Sequence, residues 1–150
     1  MKRYMPPERA RVLRVVLDTN VLVSGLIIPG KPRELLTRIT RKELALVISK
    51  EILDEFIKVM NREKFAEYAT EEQVDRFVES IGRMAELVEL KSNVKVVKED
   101  PKDDVVISTA IDARADWIIS GDHHLLGLKE FRGIKILAVG EALRRLRKDK

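Results

Sequence analysis

A chain of 150 residues is long enough for one domain with a substantial core and short for two. Hydrophobic residues at 45%, with only 7 Gly and 5 Pro, exclude a disordered or collagen-like chain. No cysteine is present, which removes disulfides, thiolate metal sites and cysteine nucleophiles, and the net charge of +4 suits a polyanionic partner without requiring one.

In chain order, Lys2, Arg3, Arg9, Arg11 and Arg14 make a basic start with no apolar block before a cleavage site, so no signal peptide is expected. Val12 to Leu17 is a nearly continuous β-branched apolar run, the pattern of a strand buried on both faces. It stops at Asp18-Thr19-Asn20. Val21 to Ile28 is apolar again, Pro29-Gly30 breaks the chain, and Pro32 opens a helix toward Arg41. Leu44 to Ile48 reads as a second strand, and Ser49 as the cap of an amphipathic helix over Lys50 to Asn61. Thr70-Glu71-Glu72-Gln73 is a capping box that introduces a helix through Ile81, followed by a weak strand over Leu87 to Leu90. After a polar stretch, Lys102 to Arg114 reads as helix, Trp117 to Ser120 and Ile134 to Ala138 as buried strands, and Glu141 to Arg147 as a closing helix. Alternating strands and helices predict a three-layer α/β/α sandwich with a mainly parallel sheet. One domain is expected over the whole chain, with a core from about residue 12 to 140 and basic termini.

The chemistry-bearing residues fall at strand ends. Two apolar strands run into an aspartate, Asp18 and Asp122; Asp103-Asp104 opens the helix before the second; Glu55 follows the strand at Leu44 to Ile48. A parallel sheet gathers these positions near one edge, where such sheets bind ligands. Converging carboxylates repel one another unless a divalent cation neutralises them, and magnesium or manganese suits oxygen ligands. Each acid also has an ordinary explanation: Asp18 or Asp103 as a helix cap, Asp122 as a turn residue, Glu55 as a solvated charge. The helix after Pro101 is expected to begin at about residue 103 or 104. Asp103 is then its cap, and Asp104 lies on the border of the apolar arc, placed to ligate a metal. His123 and His124 read as a solvated turn with no assigned role. No phosphate-cradling glycine loop and no serine-hydrolase elbow occurs.

Val16 to Leu22 (Val-Leu-Asp-Thr-Asn-Val-Leu), Ser49 to Phe56 (Ser-Lys-Glu-Ile-Leu-Asp-Glu-Phe), Asp100 to Asp104 (Asp-Pro-Lys-Asp-Asp) and Ile118 to Leu126 (Ile-Ile-Ser-Gly-Asp-His-His-Leu-Leu) together resemble the PIN-domain nucleases. The four motifs stand in that family's order and span most of the chain. The resemblance implies a three-layer α/β/α fold and a Mg²⁺- or Mn²⁺-dependent endoribonuclease. It places the catalytic and metal-binding acids at Asp18, Glu55, Asp104 and Asp122, with Asn20, Ser120 and Asp103 in support. It further implies an RNA substrate, a homodimer, and an antitoxin protein as partner if the chain is a toxin of the toxin–antitoxin type. Ser120 stands where the family often has threonine, which keeps the hydroxyl.

Basic residues must draw RNA past the acids, and Lys31, Arg33, Lys50 and the terminal arginines are the candidates. The helices around Leu35 to Ile39 and Val74 to Ile81 carry apolar residues that a dimer contact is expected to cover. A cytoplasmic protein with no membrane association is expected. The competing reading is a non-catalytic RNA-binding or scaffold module of the same fold, which would be expected to have lost one of the acids; none is lost. A phosphatase of this architecture would want a second aspartate where Asn20 stands.

Overall fold

The computed structural model describes residues 11–95 and 101–148, and for Lys148 the backbone alone. Lys2, Arg3, Arg9, Asp100 and Lys150 lie outside the described residues. The order is β1 (Leu13–Leu17), α1 (Thr19–Ile27), α2 (Lys31–Thr40), β2 (Leu44–Ser49), α3 (Lys50–Met60), a 3-10 turn (Glu63–Phe65), α4 (Glu71–Met84), β3 (Glu86–Val88), α5 (Pro101–Ala113), β4 (Trp117–Ile119), α6 (His123–Leu128), β5 (Glu130–Phe131), β6 (Ile134–Leu137) and α7 (Val139–Lys148).

Among the described residues the strands form one sheet in the order β3-β2-β1-β4-β6-β5, parallel except for the β5–β6 pair. Helices flank it in the expected three-layer α/β/α arrangement: α5 packs across β1, β2 and β4, while α2 packs on β2, α1 and α7. Val15, Val16, Ile118 and Ile119 are fully buried, so β1 and β4 show no polar alternation, as strands covered on both faces must. The chain leaves β1 for β2 on one side, and β4 docks on the other. This is the switch point where parallel sheets open a crevice beyond their carboxyl ends.

Local signals explain most boundaries. Ser49 Oγ accepts from Ile52 N–H at 3.3 Å, and Thr70 with Gln73 forms the full capping box at the head of α4. β5 is unpredicted, because two residues show no alternation; it is joined to β6 through Arg132 and Gly133, both at positive φ (50° and 83°), as a two-residue hairpin turn requires. His123 and His124 stand in a helix, not a turn: they open α6, His123 exposed and His124 half-buried, with ring centroids 4.1 Å apart. The third correction concerns α5, which begins at Pro101, not at residue 103 or 104. Proline is favoured at the first helical position, where its missing N–H is not needed.

The apolar residues expected to be left for a dimer contact are covered within the chain. Leu35, Leu36, Ile39, Val74 and Ile81 are buried, and Phe77 and Val78 are half-buried against the core. Among the described residues no helix is long and apolar enough to cross a membrane.

Candidate active site

The last residue of β1 is apolar, and the chain then turns into α1 through Asp18. Its backbone remains extended (φ −62°, ψ 150°), its N–H donates to Ile119 O at 3.0 Å, and its C=O accepts from Val21 and Leu22 N–H. The carboxylate does not cap α1. It accepts instead from Ser120 Oγ at 2.7 Å, and Asp18 is only 7% exposed. Burial pushes its pKa up; the Ser120 hydrogen bond opposes that, and the neighbouring Asp122 carboxylate adds to it. Asp18 is therefore a carboxyl whose charged form is held in the protein at a cost.

Ser120, fully buried at the end of β4, joins the two strand-end acids. Its hydroxyl donates to Asp18 and accepts from Asp122 N–H at 2.9 Å. Asp122 in turn caps α6, its Oδ1 accepting from His124 N–H at 2.7 Å. Capping uses one oxygen and leaves the residue on the cavity wall, so the cap and site readings of Asp122 are compatible.

That cavity, about 280 Å³, lies beyond the carboxyl ends of β1 and β4. Asp18, Asn20, Glu51, Glu55, Asp103 and Asp122 supply its polar wall, with Arg62 and Lys102 as its cations. Glu55 reaches it from α3 and pairs with Lys102 Nζ at 2.9 Å. The head of α3 is tied to the middle of α5, where the buried hydroxyls of Ser49 and Thr109 stand 2.8 Å apart.

The structure brings together Asp18, Asn20, Glu55 and Asp122 of the expected residues, but at the head of α5 it exchanges the adjacent pair. Asp103 is not a cap; it is the third helical residue, 3% exposed, and lines the cavity. Asp104 is half-buried and does not line it. Starting the helix at Pro101 explains the exchange. Asp103 shares the stripe of Val106, Ile107 and Ala110, all buried against the sheet, and this carries its carboxylate to the sheet edge.

The expected rim cations are engaged elsewhere. Lys50 pairs with Asp54 at 2.9 Å, Arg33 donates to the carbonyls of Gly25 and Leu26, and Arg144 and Arg145 pair with Glu141; none of them lines the cavity, nor does Lys31. Arg62 and Lys102 do so instead, and neither was singled out. Arg62 lies past the cap of α3, outside the helical period that groups Glu51, Glu55 and Val59, so periodicity alone does not place it on the wall.

The donor set is one of hard oxygens, which fits a divalent cation such as Mg²⁺ or Mn²⁺. Among the described residues no three acidic or histidine side chains stand close enough together to enclose an ion.

The sequence profile of the PIN domain matches residues 14–124. The uncharacterized protein MJ1680 of Methanocaldococcus jannaschii is 28% identical over 120 residues, covering 79% of this chain and 76% of that protein. Two solved structures share the fold. PAE2754 from Pyrobaculum aerophilum superposes with a TM-score of 0.64 at 16% identity, over 91% of this chain and 90% of the other. VapBC2 from Rickettsia felis, solved bound to a DNA fragment from its promoter, superposes with a TM-score of 0.59 at 15% identity, over 84% of this chain and 98% of the other. The profile match runs from within β1 to the start of α6 and takes in every acid of the cavity wall; the chain belongs to the PIN-domain family.

Proposed function

We propose that this chain is a divalent-metal-dependent endoribonuclease whose acids are Asp18, Glu55, Asp103 and Asp122. One observation carries the reading: carboxylates from four separate elements line a single cavity at the switch point of a parallel sheet. A bound Mg²⁺ or Mn²⁺ there supplies a water of lowered pKa and stabilises charge on the phosphoryl oxygens. Asp18 is the central acid, its carboxylate aimed by the Ser120 hydroxyl and kept from bulk water. Asp122 is fixed from behind by the amide of His124, which limits its motion to the cavity wall. Glu55 pairs with Lys102 and, once freed from it, is placed to orient the attacking water or take its proton. Asp103 replaces Asp104 in this set, because it is the one on the cavity wall.

The family resemblance of the motifs supports RNA over DNA as substrate. It also supports a toxin role with an antitoxin partner, to which the toxin–antitoxin structure sharing the fold lends weight. A homodimer and a cytoplasmic location belong to the same reading. Cleavage of a labelled single-stranded RNA, with DNA of equal sequence beside it, tests the proposal. Cleavage that needs Mn²⁺ or Mg²⁺, stops with EDTA and is lost in Asp18→Asn is expected. RNA binding without cleavage under any divalent ion would establish the non-catalytic module instead. Light scattering that finds only a monomer at micromolar concentration removes the dimer.

A further inference from the structure

Arg62 stands out when every charge on the cavity wall is given its partner. The wall carries the carboxylates of Asp18, Glu51, Glu55, Asp103 and Asp122 against the cations of Lys102 and Arg62. Lys102 is joined to Glu55. Arg62 makes no side-chain hydrogen bond or ion pair among the described residues, whereas several arginines away from the cavity do: Arg38 with Glu43, Arg76 with Glu72, Arg83 with Glu79, Arg144 with Glu141.

Its backbone, by contrast, is fixed. Arg62 follows the last residue of α3 and its cap, its N–H donates to Val59 O at 3.1 Å, and its C=O accepts from Phe65 N–H at 3.0 Å to start the 3-10 turn. Phe65 is half-buried against the core, so the turn is anchored. Residues 51, 55 and 59 occupy one stripe of α3, and Arg62, two residues past its end, lines the same cavity. Arg62 is seven residues beyond Glu55 in sequence, past the cap at Asn61 and at the head of the 3-10 turn. This side of the cavity therefore runs from acid to base, ending in a guanidinium whose backbone is fixed.

We infer that Arg62 binds a backbone phosphate of the nucleic-acid strand next to the scissile one, and so sets how the strand enters the acidic cavity. The inference rests on the nuclease reading above. A polyanion entering a wall rich in carboxylates needs a cation not already neutralised, and a guanidinium can grip two phosphate oxygens at once. Beyond the end of the helix that carries Glu55, the contact holds substrate without taking part in bond cleavage, so its loss raises KM and leaves kcat nearly unchanged.

The test measures binding of a fluorescent single-stranded RNA to the full chain by anisotropy, from about 50 to 300 mM salt, in an Asp18→Asn background that prevents cleavage. Adding Arg62→Ala is expected to weaken binding about fivefold at 0.1 M salt and to make the salt slope shallower by about 0.7, the value of one phosphate contact on a single strand. Arg62→Lys keeps the slope and loses part of the affinity. Arg76→Ala, an exposed arginine of α4 away from the cavity, changes neither. Thermal melting checks that each variant is folded, and Arg62→Gln serves if the alanine variant is not. If the parent chain binds and cleaves RNA while Arg62→Ala matches it in slope, affinity and KM, the inference is overturned alone. If the parent neither binds nor cleaves RNA, the nuclease reading fails and takes this inference with it.

Discussion

The two ends of β1 and β4 use aspartate in opposite ways. At the amino end, Asp116 accepts from both terminal nitrogens of Arg11 and from Arg14 N–H at 2.8 Å, while the Arg14 guanidinium donates to Ala113 O and pairs with Glu86. At the carboxyl end, Asp18 is more deeply buried, has a hydroxyl and the amides of Thr19 and Asn20 but, among the described residues, no paired cation, and feels the charge of Asp122. A carboxylate matched to a guanidinium holds strands together. One kept without a cation against its own desolvation is unfavourable for folding and suits a site that a cation completes.

Asp18→Asn should break this contrast most sharply. Divalent-dependent RNA cleavage is expected to fall by orders of magnitude in a quantitative assay, because a neutral amide cannot replace the central charge. The same change should raise the melting temperature of the metal-free protein by about 2–4 °C, the effect of about 1 kcal/mol in a chain of this size. The sign follows from the raised pKa. The contribution of Asp18 to stability is fully present below the ordinary carboxylate pKa and is lost as pH rises through the folded-state value. The gain should thus appear at pH 7 and shrink at or below about pH 4. Mn²⁺ should stabilise the wild type, by about 1.4 kcal/mol at ten times its Kd, and stabilise Asp18→Asn less. Equal melting temperatures for the two proteins at pH 7, with and without Mn²⁺, would remove the carboxyl end from the comparison.

The adjacent acids of α5 sharpen it next. Asp103→Asn should lower kcat by at least about a hundredfold, as loss of a group acting on the transition-state charge does, whereas Asp104→Asn should cost less than about threefold. Cleavage rates of the two variants decide between them, and the reverse order would restore Asp104 to the site.

How legible this was differs between fold and site. The strands could be read because full burial on two faces imposes unbroken apolar runs, as in Val15-Val16-Leu17 and Ile118-Ile119, and the caps at Ser49 and Thr70 because their hydrogen bonds are local. The acids at strand ends followed from the parallel topology. The choice between Asp103 and Asp104 did not, since it turns on a helix start two residues earlier than expected, which makes Asp103 a helical residue three and four positions before the buried Val106 and Ile107. Arg62 was out of reach for a related reason. A basic residue after a helix reads as solvated until the packing of α3 beside α5 shows which stripe meets the cavity.

At the amino end the expected effects concern stability alone. Asp116→Ala removes the acceptor of a partly buried guanidinium and of a backbone amide. Hydrogen bonds to charged groups are worth about 1.5–3 kcal/mol, so a drop of about 3–12 °C in melting temperature is expected at about 2–4 °C per kcal/mol. The RNA cleavage rate, measured well below that temperature, should stay within about twofold of wild type. A large loss of activity in a folded Asp116→Ala chain would mean that the two ends are coupled through β1 and β4 and do not serve separate roles.

The smallest effect belongs to Ser120→Ala. The hydroxyl donates to Asp18 and favours its ionised form, opposing the rise caused by burial. Without it the Asp18 pKa rises further, so protons compete with the divalent cation over a wider range of pH. Affinity for Mn²⁺, measured by calorimetry, should fall about twofold to tenfold at the acid end of the range, the worth of one ordinary hydrogen bond. The deficit should shrink as pH rises and protons compete less for Asp18. The acid limb of the cleavage profile should move upward with it, leaving the plateau rate close to wild type. Ser120→Thr keeps the hydroxyl and should restore the limb. If the loss in Ser120→Ala were the same at every pH, Ser120 would be acting on the position of Asp18 or on the amide of Asp122 that it accepts from, and not on the charge of Asp18.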